Sequence, residues 1–201
     1  MPDPDAGRDR YVPVAPDALD TASRALYERL LAERGRVPAP FVPLLATPPV
    51  GEAIAQWSAA LQAGALPDAV REAVFLRVAR RQRCRYLWAN HVGRARAAGL
   101  PDTVIAALAS GAPVAPAHAV AATVADDQTR QALAAVAPAL ALTTALLETA
   151  VVTDAQVDAV QAVLGTRGVV ELTSFCGFAV SVALLLTLRQ PSLPAGVPVP
   201  F

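Results

Sequence analysis

Residues 68–99 read DAVREAVFLRVARRQRCRYLWANHVGRARAAG, and this stretch decides the fold class. Val70, Val74, Leu76 and Val78 recur at helical spacing, which predicts a helix from Asp68 to about Gln82 with those side chains toward a core. The turn Gly64-Ala65-Leu66-Pro67-Asp68 supplies its start signal, with proline at a first helical position. A second helix follows from Arg85 to about Ala98 and stops at Gly99, a residue suited to a left-handed cap. Nothing in the stretch alternates with the period of a strand.

The same period extends in both directions. Upstream, an amphipathic helix is expected over Asp17–Arg34, with Leu19, Leu26, Leu30 and Leu31 on its apolar side. A short helix is expected over Phe41–Ala46, and Pro48-Pro49 opens another that runs to Gln62 and carries Trp57. Downstream, Leu100-Pro101-Asp102 repeats the Leu-Pro-Asp start and predicts a short helix to Ser110, followed by a linker over 111–116. Alanine-rich helices are expected over 118–137 and 139–151, broken near Pro138. Thr153-Asp154-Ala155-Gln156 has capping-box spacing and starts a helix to Leu164, with a last helix over 166–188. The reading is therefore all-α: a flexible arm over 1–16, one helical domain over 17–190 and a proline-rich tail over 191–201.

Composition narrows the function classes. Of 201 residues, 54% are hydrophobic and 17% charged, enough apolar surface to drive a single core. The formal net charge is zero, which provides no field for nucleic acid or an anionic membrane surface. All 17 basic residues are arginine, so a Schiff-base amine and a P-loop lysine are both excluded. Two cysteines, Cys84 and Cys176, are too few for a disulfide scaffold. The opening Met1-Pro2-Asp3-Pro4-Asp5 lacks the basic start and apolar run of a signal peptide, and a cytoplasmic location is expected. Val169–Leu188 is nearly long enough to span a bilayer, but it carries Glu171; a buried core helix is expected instead of a membrane span.

Chemistry concentrates between Glu72 and His91. On a helix, Cys84, Leu87, Trp88 and His91 fall toward one face. An imidazole there, beside an aromatic wall, is equipped for proton transfer near neutral pH; the alternative is a core histidine bonded to a backbone carbonyl. Glu72 sits in an apolar turn and pairs either with Arg71 or Arg77, as a structural ion pair, or with His91, as an orienting or second acid/base group. Cys84 lies at a helix start between Arg83 and Arg85, surroundings that lower a thiol pKa, whereas many buried cysteines are inert. Eight of the seventeen arginines fall between 71 and 96, forming either an anion-binding patch or a solvated face.

The run Arg71-Glu72-x-x-x-Leu76-Arg77-Val78-Ala79-Arg80, then Tyr86-x-Trp88-x-x-His91, then Ala95-x-x-Ala98-Gly99-Leu100, resembles the carboxymuconolactone decarboxylase family, whose wider group includes alkylhydroperoxidase-D-like peroxidases. The clear likeness covers about 60–110. It implies a helical bundle of the alkylhydroperoxidase-D-like type that assembles as a dimer, trimer or hexamer. The peroxidase branch carries Cys-x-x-Cys-x-x-x-His with a glutamate twelve residues before the first cysteine. Cys84, His91 and Glu72 match that pattern, but Leu87 stands where the second cysteine belongs, so a dithiol cycle lacks its partner. The decarboxylase branch implies a metal-free, cofactor-free reaction on a small carboxylated lactone, needing no nucleic-acid or membrane partner. His91 and Glu72 then form the acid/base pair, Cys84 lines the pocket or assists, and Arg77, Tyr86, Leu87 and Trp88 bind substrate. A thiol redox protein using Cys84 and a non-catalytic helical member are the competing readings.

Overall fold

The computed structural model describes residues 9–11, 15–114 and 127–201, and among these the secondary structure is helical without strands. The α-helices are α1 (Thr21–Arg34), α2 (Pro48–Gln62), α3 (Asp68–Arg81), α4 (Arg85–Ala97), α5 (Asp102–Ser110), α6 (Asp127–Ala134), α7 (Val136–Glu148) and α8 (Asp154–Arg189). The all-α expectation holds, and most boundaries fall within a residue or two of the pattern.

Where they differ, the cause is local. Helix α1 starts at Thr21, not Asp17, because the Asp20 carboxylate accepts from the Ser23 N–H at 2.9 Å and caps the helix there; Pro16–Ala18 forms a separate 3-10 turn. The expected helix over Phe41–Ala46 is instead a pair of 3-10 turns, Ala39–Phe41 and Pro43–Ala46, because the prolines leave too few donors for an α-helical ladder. Pro67 stands at the cap of α3, one position before its first helical residue. The expected break at Pro138 lies at Ala135, leaving Pro138 in the first turn of α7, where a missing N–H costs nothing. The beginning of the helix expected over 118–137 falls outside the described residues, as do 1–8 and 12–14 of the expected arm. The two helices expected to meet at Leu164 and Thr166 do so at Gly165, whose φ of 69° and ψ of 175° kink α8. The Thr153–Gln156 capping box forms as expected.

Helix α3 is the centre of the bundle and packs against α4, α5, α6, α7 and α8. Ala69, Val70, Ala73, Val74, Leu76, Val78 and Ala79 are all buried, so apolar contact extends around most of its circumference. A smaller core joins Leu26 and Leu30 of α1 to Phe41, Leu44, Leu45 and Ala55, and it seats the 3-10 turns against α2. Gly51 permits that approach: a Cβ there would meet Leu26 Cδ2 at 2.5 Å and the Leu44 carbonyl oxygen at 3.3 Å.

By length and hydropathy, Thr129–Glu148 and Asp154–Arg189 both match a membrane span, a measure that core helices also meet. In α8, Leu172, Phe175, Phe178, Ala179, Val182, Ala183 and Leu186 are buried against the bundle. Glu171 has a local role: it accepts from the Ala65 N–H at 2.7 Å and pairs with Arg167 at 2.6 Å, fixing α8 to the turn before α3. Phe201 meets Trp88 edge-on, with ring centroids 5.5 Å apart, and Asp9 pairs with Arg189.

Candidate functional site

The turn between α3 and α4 is only three residues long, with Arg83 in the left-handed region at φ 52°. The Cys84 N–H closes it by donating to the Ala79 carbonyl at 2.9 Å. A turn this tight makes α3 and α4 antiparallel neighbours, so residues about two turns from the bend on each helix face one another. Glu72 and His91 are such a pair. His91 Nδ1 lies 2.7 Å from Glu72 Oε2, and the two side chains are only 11% and 15% exposed. Neither alternative for Glu72 is taken up: Arg71 is bound to Asp68 and the Leu66 carbonyl, and Arg77 to Thr144 and Glu148.

With Nδ1 committed to the carboxylate, Nε2 is the nitrogen left for a ligand. Phe75, one turn after Glu72, covers the ring at a centroid distance of 4.0 Å. His91 lines a cavity of about 300 Å³ that also receives Phe75, Tyr86, Leu87, Asn90, Phe178 and Leu186. Four arginines complete the lining (Arg34, Arg36, Arg94 and Arg189), with no Asp or Glu among the lining residues. Arg189 is neutralised by Asp9 at 2.7 Å, whereas Arg34, Arg36 and Arg94 have no carboxylate within 4 Å among the described residues.

The other sequence candidates separate. Arg77 is not in this cavity; it lies five residues after Glu72, about 140° round α3, and lines a different recess beside Thr144 and Glu148. Trp88 does not join the wall either. At ~100° per residue, Leu87, Asn90 and Arg94 fall on one side of His91, while Trp88 falls about 60° to the other and packs on Phe201. Tyr86 and Leu87 do line the cavity.

Cys84 opens onto a small recess with Thr187 and Gln190, and burial pushes its thiol above the ordinary range, opposite to the effect expected from its arginine neighbours. Cys176, also buried, is pushed up to about 11 by desolvation. Cys84 bonds to Thr187, which lies eleven residues and so roughly 16 Å along α8 from Cys176, beyond the reach of a disulfide. Both thiols are free. Among the described residues, no group of three His, Cys, Asp or Glu side chains stands ready to hold a metal ion.

The likeness noted in the sequence extends well beyond the α3–α4 hairpin. Residues 48–138 match the family model described as "Carboxymuconolactone decarboxylase family". This segment belongs to that family. No curated protein and no solved structure matches the chain. The decarboxylase-family segment contains Glu72, His91 and Arg94, and its helical bundle is of the alkylhydroperoxidase-like type. Arg34, Arg36, Phe41, Phe178 and Arg189 lie outside it, so the cavity is built partly by family residues and partly by flanking chain. Sequence reasoning missed Arg34, Arg36, Phe178 and Arg189 for that reason. Phe75 and Arg94 were within reach of it, since each falls one helical turn from a named site residue.

Proposed function

We propose that the chain is a cofactor-independent lyase or isomerase that moves a proton on a small carboxylated or lactone substrate, with His91 as the acid/base. The observation that carries this reading is the His91 Nδ1 to Glu72 Oε2 contact of 2.7 Å, at a cavity lined by arginines and by no carboxylate. Glu72 fixes the orientation of the ring through Nδ1, leaving Nε2 to exchange a proton with the bound molecule. In a decarboxylation, the C–C bond to the carboxylate breaks and carbon dioxide leaves. The electron pair stays on carbon as an enolate-like centre, which takes the proton from Nε2; solvent then restores the ring. Phe75, Leu87 and Phe178 give the cavity an apolar wall, and the guanidinium groups favour an anionic substrate.

A thiol redox role receives no support from the cysteines, since burial raises both thiols and Leu87 replaces the partner sulfur. We further assign the protein to the cytoplasm and to a homo-oligomer. The test is turnover of a panel of carboxylated lactones in deuterated water, comparing the wild type with His91→Gln and Glu72→Gln. The wild type is expected to place one deuterium in the product. His91→Gln is expected to lose about 10²–10⁴-fold in rate. Glu72→Gln, which loses a charge-assisted bond, is expected to lose about 10- to 100-fold. Full turnover by folded His91→Gln would end the assigned role, and a wild type inert on the whole panel would favour a non-catalytic member.

A further inference from the structure

We infer that Arg34 and Arg94 form an anion subsite that positions the substrate's carboxylate beside His91, and that the wall before residue 48 sets this chain's selectivity. The inference rests on the proposed use of the His91 cavity. Arg94 is three residues after His91 on α4, so its side chain rises from the same face, about 5–6 Å away at Cβ. Arg34 reaches the cavity from the C-terminal end of α1, a separate element outside the family segment.

Arg34 is the more informative of the two. Its guanidinium lies over the Phe41 ring at 5.1 Å, and burial pulls its pKa below the ordinary arginine value. The adjacent Glu33 is bonded to Arg29 and acts on Arg34 only through space, and no described carboxylate lies within 4 Å of the Arg34 guanidinium. A partly desolvated cation over an aromatic face with no directly bonded carboxylate is a costly arrangement that an arriving anion relieves. The forked N–H groups of a guanidinium suit a two-pronged bond to a carboxylate.

The occupant's size follows from the space. At roughly 30 Å³ per water-sized group, about 300 Å³ holds a molecule of about ten such groups. Beside the polar Ser58, Gln62, Tyr86 and Asn90, the lining has an apolar part formed by Phe75, Phe178 and Leu186, which suits an anionic group carried on a short carbon skeleton. A small organic carboxylate fits both features, whereas a free inorganic oxyanion would leave the apolar part empty.

The experiment is calorimetric titration of the full chain at low salt with propionate, succinate, glutarate and inorganic phosphate. The proteins compared are the wild type, Arg34→Gln, Arg34→Lys, Arg94→Gln and His91→Gln. The organic carboxylates are expected to bind the wild type more tightly than phosphate does, and each Arg→Gln change to weaken them about tenfold or more. Arg34→Lys is expected to restore only part of the loss, because an ammonium lacks the planar fork. His91→Gln is expected to bind the acids nearly as well as the wild type. That result separates the two readings: a failed proton-transfer role leaves arginine-dependent binding intact, whereas a failed subsite leaves His91-dependent turnover intact. Carboxylate affinity unchanged in folded Arg34→Gln and Arg94→Gln would overturn the inference, and so would no carboxylate binding or a preference for phosphate. The exposed position of Arg94 keeps the test decisive even if Arg34→Gln does not fold.

Discussion

Replacing Arg189 with methionine removes the charge that holds the cavity wall to the end of α8 while keeping most of the side chain's apolar stem. Arg189 is 9% exposed and donates to both oxygens of Asp9, from Nε at 3.0 Å and Nη2 at 2.7 Å, and from Nη1 to the Ala39 carbonyl at 3.0 Å. Asp9, at 22% exposed, keeps some access to water, so the cost lies below the 3–5 kcal/mol of a fully buried pair and above the ~1 kcal/mol of a surface pair. We expect a loss of about 2–3 kcal/mol at pH 7. For a chain of this size, that corresponds to a Tm lower by roughly 4–12 °C. The Arg189 hydrogen bond holds the Asp9 carboxyl below its ordinary pKa. A group depressed on folding adds stability that is complete above its unfolded value of about 3.9 and lost as pH falls through the lower folded value. The gap between wild type and variant should therefore be constant near neutrality and close in strong acid. Urea titrations followed by circular dichroism, at pH 7 and across the acid range, with Asp9→Asn and the double variant, measure both quantities. A loss under about 0.5 kcal/mol, or an additive double variant, would refute the assigned coupling.

Two further expectations concern the bundle and its thiol. Leu76→Ala, at a fully buried position on the central helix, should cost about 2–5 kcal/mol in urea denaturation, and a cost under ~1 kcal/mol would contradict the central packing of α3. Alkylation of Cys84, followed by intact mass against pH, should be slow and reach its midpoint above the ordinary thiol value of about 8.5, because burial disfavours the thiolate; a midpoint near 7 would contradict the environment assigned to it.

Helices were legible wherever the period was long and the punctuation chemical. Leu-Pro-Asp opens Asp68–Arg81 and Asp102–Ser110, Gly99 follows the end of Arg85–Ala97, and Thr153 with Gln156 marked the last long helix. Errors arose where two local signals competed. The helix was read from Asp17, and the Asp20 carboxylate, by accepting from the Ser23 N–H, starts it at Thr21 instead. Proline at 138 looks like a break until its place in the first turn of α7 is known, because the same residue that ends a helix interior is harmless among donors with no partner.

The site was legible as far as one hairpin reaches. The pairing of Glu72 with His91 was one of the alternatives the sequence offered, and the three-residue turn that lays the two helices antiparallel is what selects it over Arg71 and Arg77. Which other side chains share their cavity depends on angles and on elements far away in the chain. A one-position difference along α4, Leu87 against Trp88, is ~100° of rotation and separates a cavity wall from a side chain packed on the C-terminus. Arg77 carries the right charge in the right helix but points about 140° away, while Arg34, thirty-eight residues before Glu72 by the numbering, enters the cavity because the small core around Leu30 and Phe41 seats it there. The family segment therefore supplies the Glu72–His91 pair, and the flanking chain most of the arginines that line the cavity. On the proposed reading, substitutions at 34–42 would change which acid is accepted while leaving the His91 chemistry in place.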